Sequence, residues 1–154
     1  MNVRVFVQNE AGSDQKHYHD EKTLEWIRVV TVSRRYPFPY GFIVGTTADD
    51  DCNVDCFVLT DEPLKTGQLV ECLVAGLMEQ FEDGHEDHNV LAVPSGSTVQ
   101  TGKAVEDTLS EFVLHVFEHV PGKRINVGRF LDASEAQSHI EARLDDTSDI
   151  RPPS

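Results

Sequence analysis

Short apolar runs separated by polar turns form the main pattern of this chain. The runs are rich in β-branched and aromatic residues, which favour strands. Pro63, Gly67, Pro94 and Gly122 punctuate them, and the polar stretch from residue 9 to residue 15 is typical of a turn. The pattern predicts strands over Val3–Val7, Leu24–Val32, Cys56–Leu59, Gln68–Val74, Asn89–Val93 and Arg124–Val127.

Two segments follow the helical period instead of the strand period. The first has apolar residues at 3.6-residue spacing at Leu109, Phe112, Val113, Val116, Phe117 and Val120. In the second, Asp132 is placed as an N-cap with Glu135 three residues later, and Ala136, Ile140 and Leu144 form the apolar stripe. The expected fold is α+β, mainly β: an OB-like five-stranded closed barrel with flanking helices.

Length and composition favour a single domain. With 154 residues, 39% of them hydrophobic, the chain can bury its own core. We expect one domain over residues 1–144 and a mobile polar tail over 145–154. No apolar stretch reaches the roughly 18 residues of a membrane span, and the start lacks a secretion signal, so we expect a cytoplasmic protein with no membrane partner. The odd set Cys52, Cys56 and Cys72 is expected to stay reduced.

The charge balance limits the possible partners. Thirteen basic and 27 acidic side chains give a formal net charge of −14, which repels nucleic acid backbones. An anionic substrate would have to arrive with a bound cation that inverts the local charge.

Two acidic clusters lie beside predicted strands, one from Asp49 to Asp55 and the other from Glu82 to Asp87. Clustered carboxylates raise one another's pKa, and oxygen ligands suit hard divalent cations. The alternative is that the clusters are a solvated turn and an exposed loop. A calcium-binding module is disfavoured because the glycine-spaced twelve-residue loop is missing.

The segment Tyr-Pro-Phe-Pro-Tyr-Gly from Tyr36 to Gly41 precedes the first acidic cluster, and the second cluster leads into Ala-Val-Pro at Pro94. This arrangement resembles the family I soluble inorganic pyrophosphatases. In that family a signature Asp-x-Asp-Pro-x-Asp follows at a fixed distance. Here the signature falls on Asp50, Asp51, Cys52, Asn53, Val54 and Asp55.

The resemblance implies a Mg²⁺-dependent enzyme that hydrolyses pyrophosphate to two phosphates. It implies metal ligands at Asp50, Asp55 and Asp87, with Glu82 helping to hold a further ion. It also implies phosphate ligands at Lys16, Arg28 and Tyr40. Cys52 stands at the catalytic aspartate beside the attacking water, where a thiol among carboxylates is a poor base.

Other departures from the family favour an alternative, a catalytically impaired pseudo-enzyme that binds metal or phosphate or acts in assembly. Lys123, Arg124 and Arg129 are candidates to replace the missing cationic contacts. The departures are Val7 and Tyr18 at glutamate positions, Asn89 at a lysine position, and Val120 with Pro121 at a tyrosine-lysine pair.

The segment from His115 to His119 spells His-x-x-Glu-His, a zinc peptidase motif, with both histidines expected on one helical face. Too little chain follows for such a peptidase, so we set that hypothesis aside. The resemblance instead implies a homo-oligomer, with a hexamer favoured and with His115 and His119 at a subunit contact. Protonation of these two histidines is expected to dissociate the oligomer as the pH falls to about 5.5. The remaining histidines, His17, His19, His85, His88 and His139, are interpreted as surface residues.

Overall fold

The computed structural model describes residues 1–98 and 101–146. Within these ranges the strands are β1 (Asn2–Asn9), β2 (Gln15–His19), β3 (Trp26–Thr31), β4 (Tyr40–Ile43), β5 (Asp55–Val58), β6 (Leu69–Glu82), β7 (His85–Glu86), β8 (Asn89–Pro94) and β9 (Ile125–Asp132). The helices are α1 (Lys103–His115) and α2 (Ala133–Glu141).

Five strands close into a barrel. β1 pairs with β4, β4 with β5, β8 with β6, and β6 again with β1, all antiparallel, whereas β5 and β8 run parallel. Closure leaves none of these five strands as a free edge. The second half of β6 extends past the barrel and pairs with β7 and β9. The predicted fold, mainly β with a closed five-stranded barrel and flanking helices, is confirmed.

Two apolar clusters lie on the two faces of the barrel wall. On β5, Cys56 and Val58 belong to the interior cluster and Phe57 to the outer one, because successive strand residues point to opposite faces. The apolar residues of β8 also alternate between the interior and outer clusters, and every residue of β8 is buried. α2 adds Ala136 and Ile140 to the interior cluster, and α1 covers the outer cluster with side chains that include Leu109, Phe112 and Val113.

β2 and β3 form a separate hairpin sheet. No strand was predicted over Gln15–His19, because its residues do not alternate between apolar and polar. The hairpin tip contacts the loop before β5, where Lys22 Nζ donates to Asn53 Oδ1 at 2.7 Å. The tip therefore lies next to the first acidic cluster.

Several element boundaries differ from the predicted ones. β6 continues to Glu82 instead of ending near Val74, with register shifts that let it leave the barrel and pair with β9. α1 ends at His115, and the chain continues in turns up to Pro121. Val120 is therefore 39% exposed, and its predicted place on the buried helical stripe is wrong. Proline also disfavours helical geometry in the residue before it, so Pro121 keeps Val120 out of a helix.

The Asp132 N-cap is confirmed, since its side chain accepts a hydrogen bond from the Glu135 backbone N–H. α2 ends at Glu141, so Leu144 does not belong to the helical stripe and is 53% exposed. Of the predicted mobile tail, residues 147–154 lie outside the described residues. Asp145 donates its backbone N–H to Gly45 O at 2.9 Å. Across residues 1–98 and 101–146, no helix is long and apolar enough to cross a bilayer.

Candidate active site

A cavity of about 250 Å³ opens between the barrel, the β2–β3 hairpin and α1. Arg28 is the one predicted site residue that does not line it. Arg28 lies on the exposed side of β3, with its guanidinium carbon 4.6 Å from the centre of the Tyr18 ring. The predicted site residues that do line the cavity are Lys16, Tyr40, Asp50, Cys52, Asp55, Glu82 and Asp87.

The parallel pairing of β5 with β8 brings the two acidic clusters together. Asp55 lies opposite Asn89 in this register, and Asp87 comes two residues before Asn89. Both strands therefore start at the same end of the barrel, which brings Asp55 at the start of β5 and Asp87 just before β8 to one place. Glu82 reaches the same cavity from the end of β6.

The carboxyl groups of Asp55 and Asp87 lie close enough to influence each other's pKa. Burial, followed by the charge of Asp87, raises the pKa of Asp55 well above its usual range, and Lys16 opposes this shift. Burial also raises the pKa of Asp87. Two ionised carboxylates in such a place repel each other, so a compensating positive charge favours the doubly ionised pair. A divalent cation is the species that would let both ionise.

The other two acidic candidates have partners within the protein. Asp50 Oδ1 accepts the Cys52 backbone N–H at 3.0 Å, and Glu82 Oε1 lies 2.6 Å from Lys123 Nζ. Accordingly, no group of three metal-ligating side chains stands ready in metal-binding geometry among the described residues. The donor set of carboxylate oxygens fits a hard divalent cation once these side chains turn inward.

Two lysines also line the cavity. Lys16 Nζ is 5.1 Å from the centre of the Tyr40 ring and 5.8 Å from that of Phe117. Burial lowers the pKa of Lys16, while the nearby carboxylates, Asp55 first, counteract the shift. Lys123 Nζ is 4.0 Å from the centre of the Phe117 ring. Two ammonium groups therefore share one aromatic ring in the cavity that the carboxylates also line.

This geometry agrees with the comparisons to known proteins. The family model described as inorganic pyrophosphatase matches residues 5–148. The chain belongs to the inorganic pyrophosphatase family. It is 29% identical over 154 residues to the inorganic pyrophosphatase of Sulfolobus acidocaldarius, covering 92% of this chain and 89% of that protein.

Comparison with solved structures supports the same family. This chain is similar to an inorganic phosphatase from Anaplasma phagocytophilum, with a TM-score of 0.83 and 28% identity, covering 92% of this chain and 91% of that one. The structure of an inorganic pyrophosphatase from Coxiella burnetii gives a TM-score of 0.82 and 28% identity, covering 92% of each chain.

Cys52 is a departure from the family signature that lines the cavity. Its thiol opens on the cavity, and burial, followed by the charge of Glu21, raises its pKa to about 11. The thiol is therefore protonated at neutral pH, and it supplies neither a base nor a negative charge.

Glu21 is a cavity residue that the sequence did not indicate. It lies at the tip of the β2–β3 hairpin, and its Oε1 accepts the Asn53 backbone N–H at 2.8 Å. Burial raises its pKa, while the bond from Asn53 has the opposite effect. No local pattern distinguishes Glu21 from the charged residues around it. The one available signal was Asn53, which offers an N–H where the family signature has proline.

Of the other departures from the family pattern, some line the cavity and some lie outside it. Tyr18 and Asn89 line the cavity, and Asn89 Nδ2 donates to Gln80 Oε1 at 2.7 Å. Val120 and Pro121 are exposed and do not line it.

Only Lys123, of the three candidate replacement cations, reaches the cavity. Arg129 is instead paired with Glu79 through two hydrogen bonds, at 2.9 and 3.0 Å. Arg124 is exposed, and its backbone N–H donates to Asp83.

Three histidines do not fit the surface interpretation. His19 is 8% exposed, and the His88 side chain is 7% exposed. His139 is half-buried against His88, at 5.6 Å between ring centres, and burial lowers its pKa to about 4. The expectation that His115 and His119 share a helical face is wrong, because α1 ends at His115.

Proposed function

We propose that this protein is a Mg²⁺-dependent inorganic pyrophosphatase that hydrolyses pyrophosphate to two phosphates. The observation that carries the proposal is one cavity lined by carboxylates and ammonium groups together. Asp50, Asp55 and Asp87 line it, as do Lys16 and Lys123, whose ammonium nitrogens lie 5.8 and 4.0 Å from the centre of the Phe117 ring. Such a site suits a polyphosphate that arrives with bound cations.

Asp50, Asp55 and Asp87 would hold the tightest ion, with Glu82 turning from Lys123 to help hold another. Bound Mg²⁺ supplies charge neutralisation and lowers the pKa of water. Oxygen-only ligands favour Mg²⁺ over softer metals. The support for Mg²⁺ is therefore the chemistry of the donor set.

Lys16 and Lys123 would bind phosphate oxygens as point charges. Burial raises the pKa of Tyr40, so its phenol stays protonated and donates a hydrogen bond to the same phosphate. Arg28 remains a predicted phosphate ligand, and from β3 it would act only at the edge of the cavity.

Phosphate release from pyrophosphate with Mg²⁺ tests this function. Wild type should release phosphate, and Asp55→Asn should lose most of the activity because an amide is a weaker metal ligand. Asp51→Asn is the matched control. Asp51 lies in the same loop, does not line the cavity, and has a φ of 67°, which asparagine tolerates. Equal rates for wild type and Asp55→Asn would contradict the proposal.

The thiol at Cys52 favours a second candidate, a pseudo-enzyme that binds metal or phosphate without turnover. Cys52→Asp distinguishes the two functions. Turnover in wild type excludes the pseudo-enzyme, whereas turnover that appears only in Cys52→Asp supports it.

We also propose a homo-oligomer, with a hexamer favoured and with His115 and His119 near the contact. Exposed apolar side chains at Leu114 and Val120 lie beside these histidines in sequence and support the assignment. Light scattering at pH 7.5 and pH 5.5 tests it, since positively charged histidines at a subunit contact should reduce the mass at the lower pH. A monomeric mass at pH 7.5, or an unchanged mass at pH 5.5, would contradict it.

A further inference from the structure

Hydrolysis needs a group that takes a proton from the attacking water, and few cavity residues are suited to that role. The acidic side chains that line the cavity are Glu21, Asp50, Asp55, Glu82 and Asp87. All except Glu21 belong to the proposed metal ligands. Glu21 is therefore the cavity carboxylate left without an assignment.

The position of Glu21 is well defined, although it lies in a hairpin tip. The Asn53 backbone N–H donates to Glu21 Oε1 at 2.8 Å, and Asn53 Nδ2 donates to the Glu21 carbonyl at 3.3 Å. Lys22 Nζ donates to Asn53 Oδ1 at 2.7 Å and to Thr46 O at 2.7 Å. Asn53 is 2% exposed, so these bonds join the tip to a rigid part of the acidic loop.

Two departures from the family signature are thereby linked. Compared with the family signature, position 52 has a thiol instead of a carboxylate. Position 53 has a backbone N–H that the signature lacks, because asparagine has this group and proline does not. That N–H holds the Glu21 carboxylate next to the Cys52 side of the cavity. One Glu21 oxygen is occupied by this bond, and the carboxylate has a second oxygen, Oε2.

We propose that Glu21 is the catalytic carboxylate that accepts the proton of the attacking water, in place of an aspartate at position 52. This inference rests on the proposed pyrophosphate hydrolysis. The water oxygen forms a bond to phosphorus, and its proton passes to Glu21 Oε2. The bridging P–O bond breaks, and its electron pair leaves with the departing phosphate.

The decisive variant is Glu21→Gln. Its amide oxygen still accepts the Asn53 N–H, so the tip stays docked, but the side chain cannot take a proton. General base catalysis contributes about 10²- to 10⁴-fold, so kcat should fall at least about 100-fold with little change in KM. Glu25→Gln, an exposed residue of the same hairpin tip, is the control and should match wild type.

A rescue experiment separates a chemical role from a structural one. Adding Cys52→Asp to Glu21→Gln returns a carboxylate to the cavity and should recover most of kcat. Calorimetry with imidodiphosphate and Mg²⁺, a pyrophosphate analogue with a nitrogen bridge, should give the same affinity for Glu21→Gln and wild type. A weaker affinity would show a binding role and overturn the proposal.

Wild-type kcat in Glu21→Gln would overturn this inference and leave the hydrolase proposal intact. Failure of Cys52→Asp to rescue Glu21→Gln would also overturn it. No phosphate release from wild type would overturn the hydrolase proposal, and this inference with it.

Discussion

Lys123 Nζ lies 2.6 Å from Glu82 Oε1, so a cation from the turn after α1 pairs with a carboxylate at the end of β6. Both side chains are mostly shielded, with 26% and 33% of their surface exposed. In the proposed mechanism, Glu82 would turn towards a metal ion and leave the ammonium group available for a phosphate oxygen. This exchange of partners would give Lys123 a role that Arg124 and Arg129, which do not line the cavity, would not have.

Lys123→Met should weaken substrate binding without unfolding the protein. A hydrogen bond to a charged group contributes about 1.5–3 kcal/mol, so KM for pyrophosphate should rise about 10- to 100-fold. Steady-state kinetics at saturating Mg²⁺ measures this. Arg124→Gln, one residue further on and exposed, should leave KM unchanged. Equal KM values for Lys123→Met and Arg124→Gln would exclude the phosphate contact.

Mg²⁺ should stabilise the protein through the Asp55–Asp87 pair. A ligand that binds only the folded state at 100 times its Kd adds about 2.7 kcal/mol to the free energy of unfolding. Thermal unfolding with and without Mg²⁺ should therefore show a higher Tm for wild type in its presence. Asp87→Asn should lose this response, and Asp51→Asn should keep it. A Mg²⁺ response of wild-type size in Asp87→Asn would rule out Asp87 as a ligand.

His139 should make stability depend on pH. Its folded-state pKa is lowered to about 4 by burial, whereas an unfolded histidine titrates near 6.5. Between these values the unfolded chain binds more protons, so the histidine lowers stability as the pH falls from about 6.5 to about 4. Groups facing the ring include Arg143, His88 and Asp49.

His139→Gln should remove this contribution. Its Tm relative to wild type should increase as the pH falls from 6.5 to 4, and the difference should stop growing below about pH 4. Calorimetric Tm values for the two proteins across this range measure the effect. A difference that does not vary with pH would show that His139 does not titrate in this way.

Gly41 of β4 should tolerate no side chain. A Cβ at this position would lie 1.8 Å from the Phe6 carbonyl oxygen, a backbone atom of the neighbouring strand. Gly41→Ala should lower the free energy of unfolding by about 3 kcal/mol or prevent folding. Gly102→Ala is the control, since nothing lies within 4 Å of its added Cβ. Denaturant unfolding that gives both variants equal stability would contradict the predicted clash.

The parts that were predictable from the sequence depend on neighbours along the chain. The Asp132 cap satisfies an N–H three residues away, and the apolar run of β8 indicates a strand buried on both faces. The acidic clusters and the segment from Tyr36 to Gly41 identified the family in the same way.

The sequence by itself thus determined the barrel class and the capped helix, because composition and short-range spacing encode them, and its resemblance to the family implied four of the carboxylates that line the cavity. Only the tertiary structure decided that Lys123 and not Arg124 reaches the cavity, and that Glu21 docks on Asn53. Residues 21 and 53 are 32 positions apart. Their contact depends on how the hairpin packs against the barrel, and no local pattern records that packing.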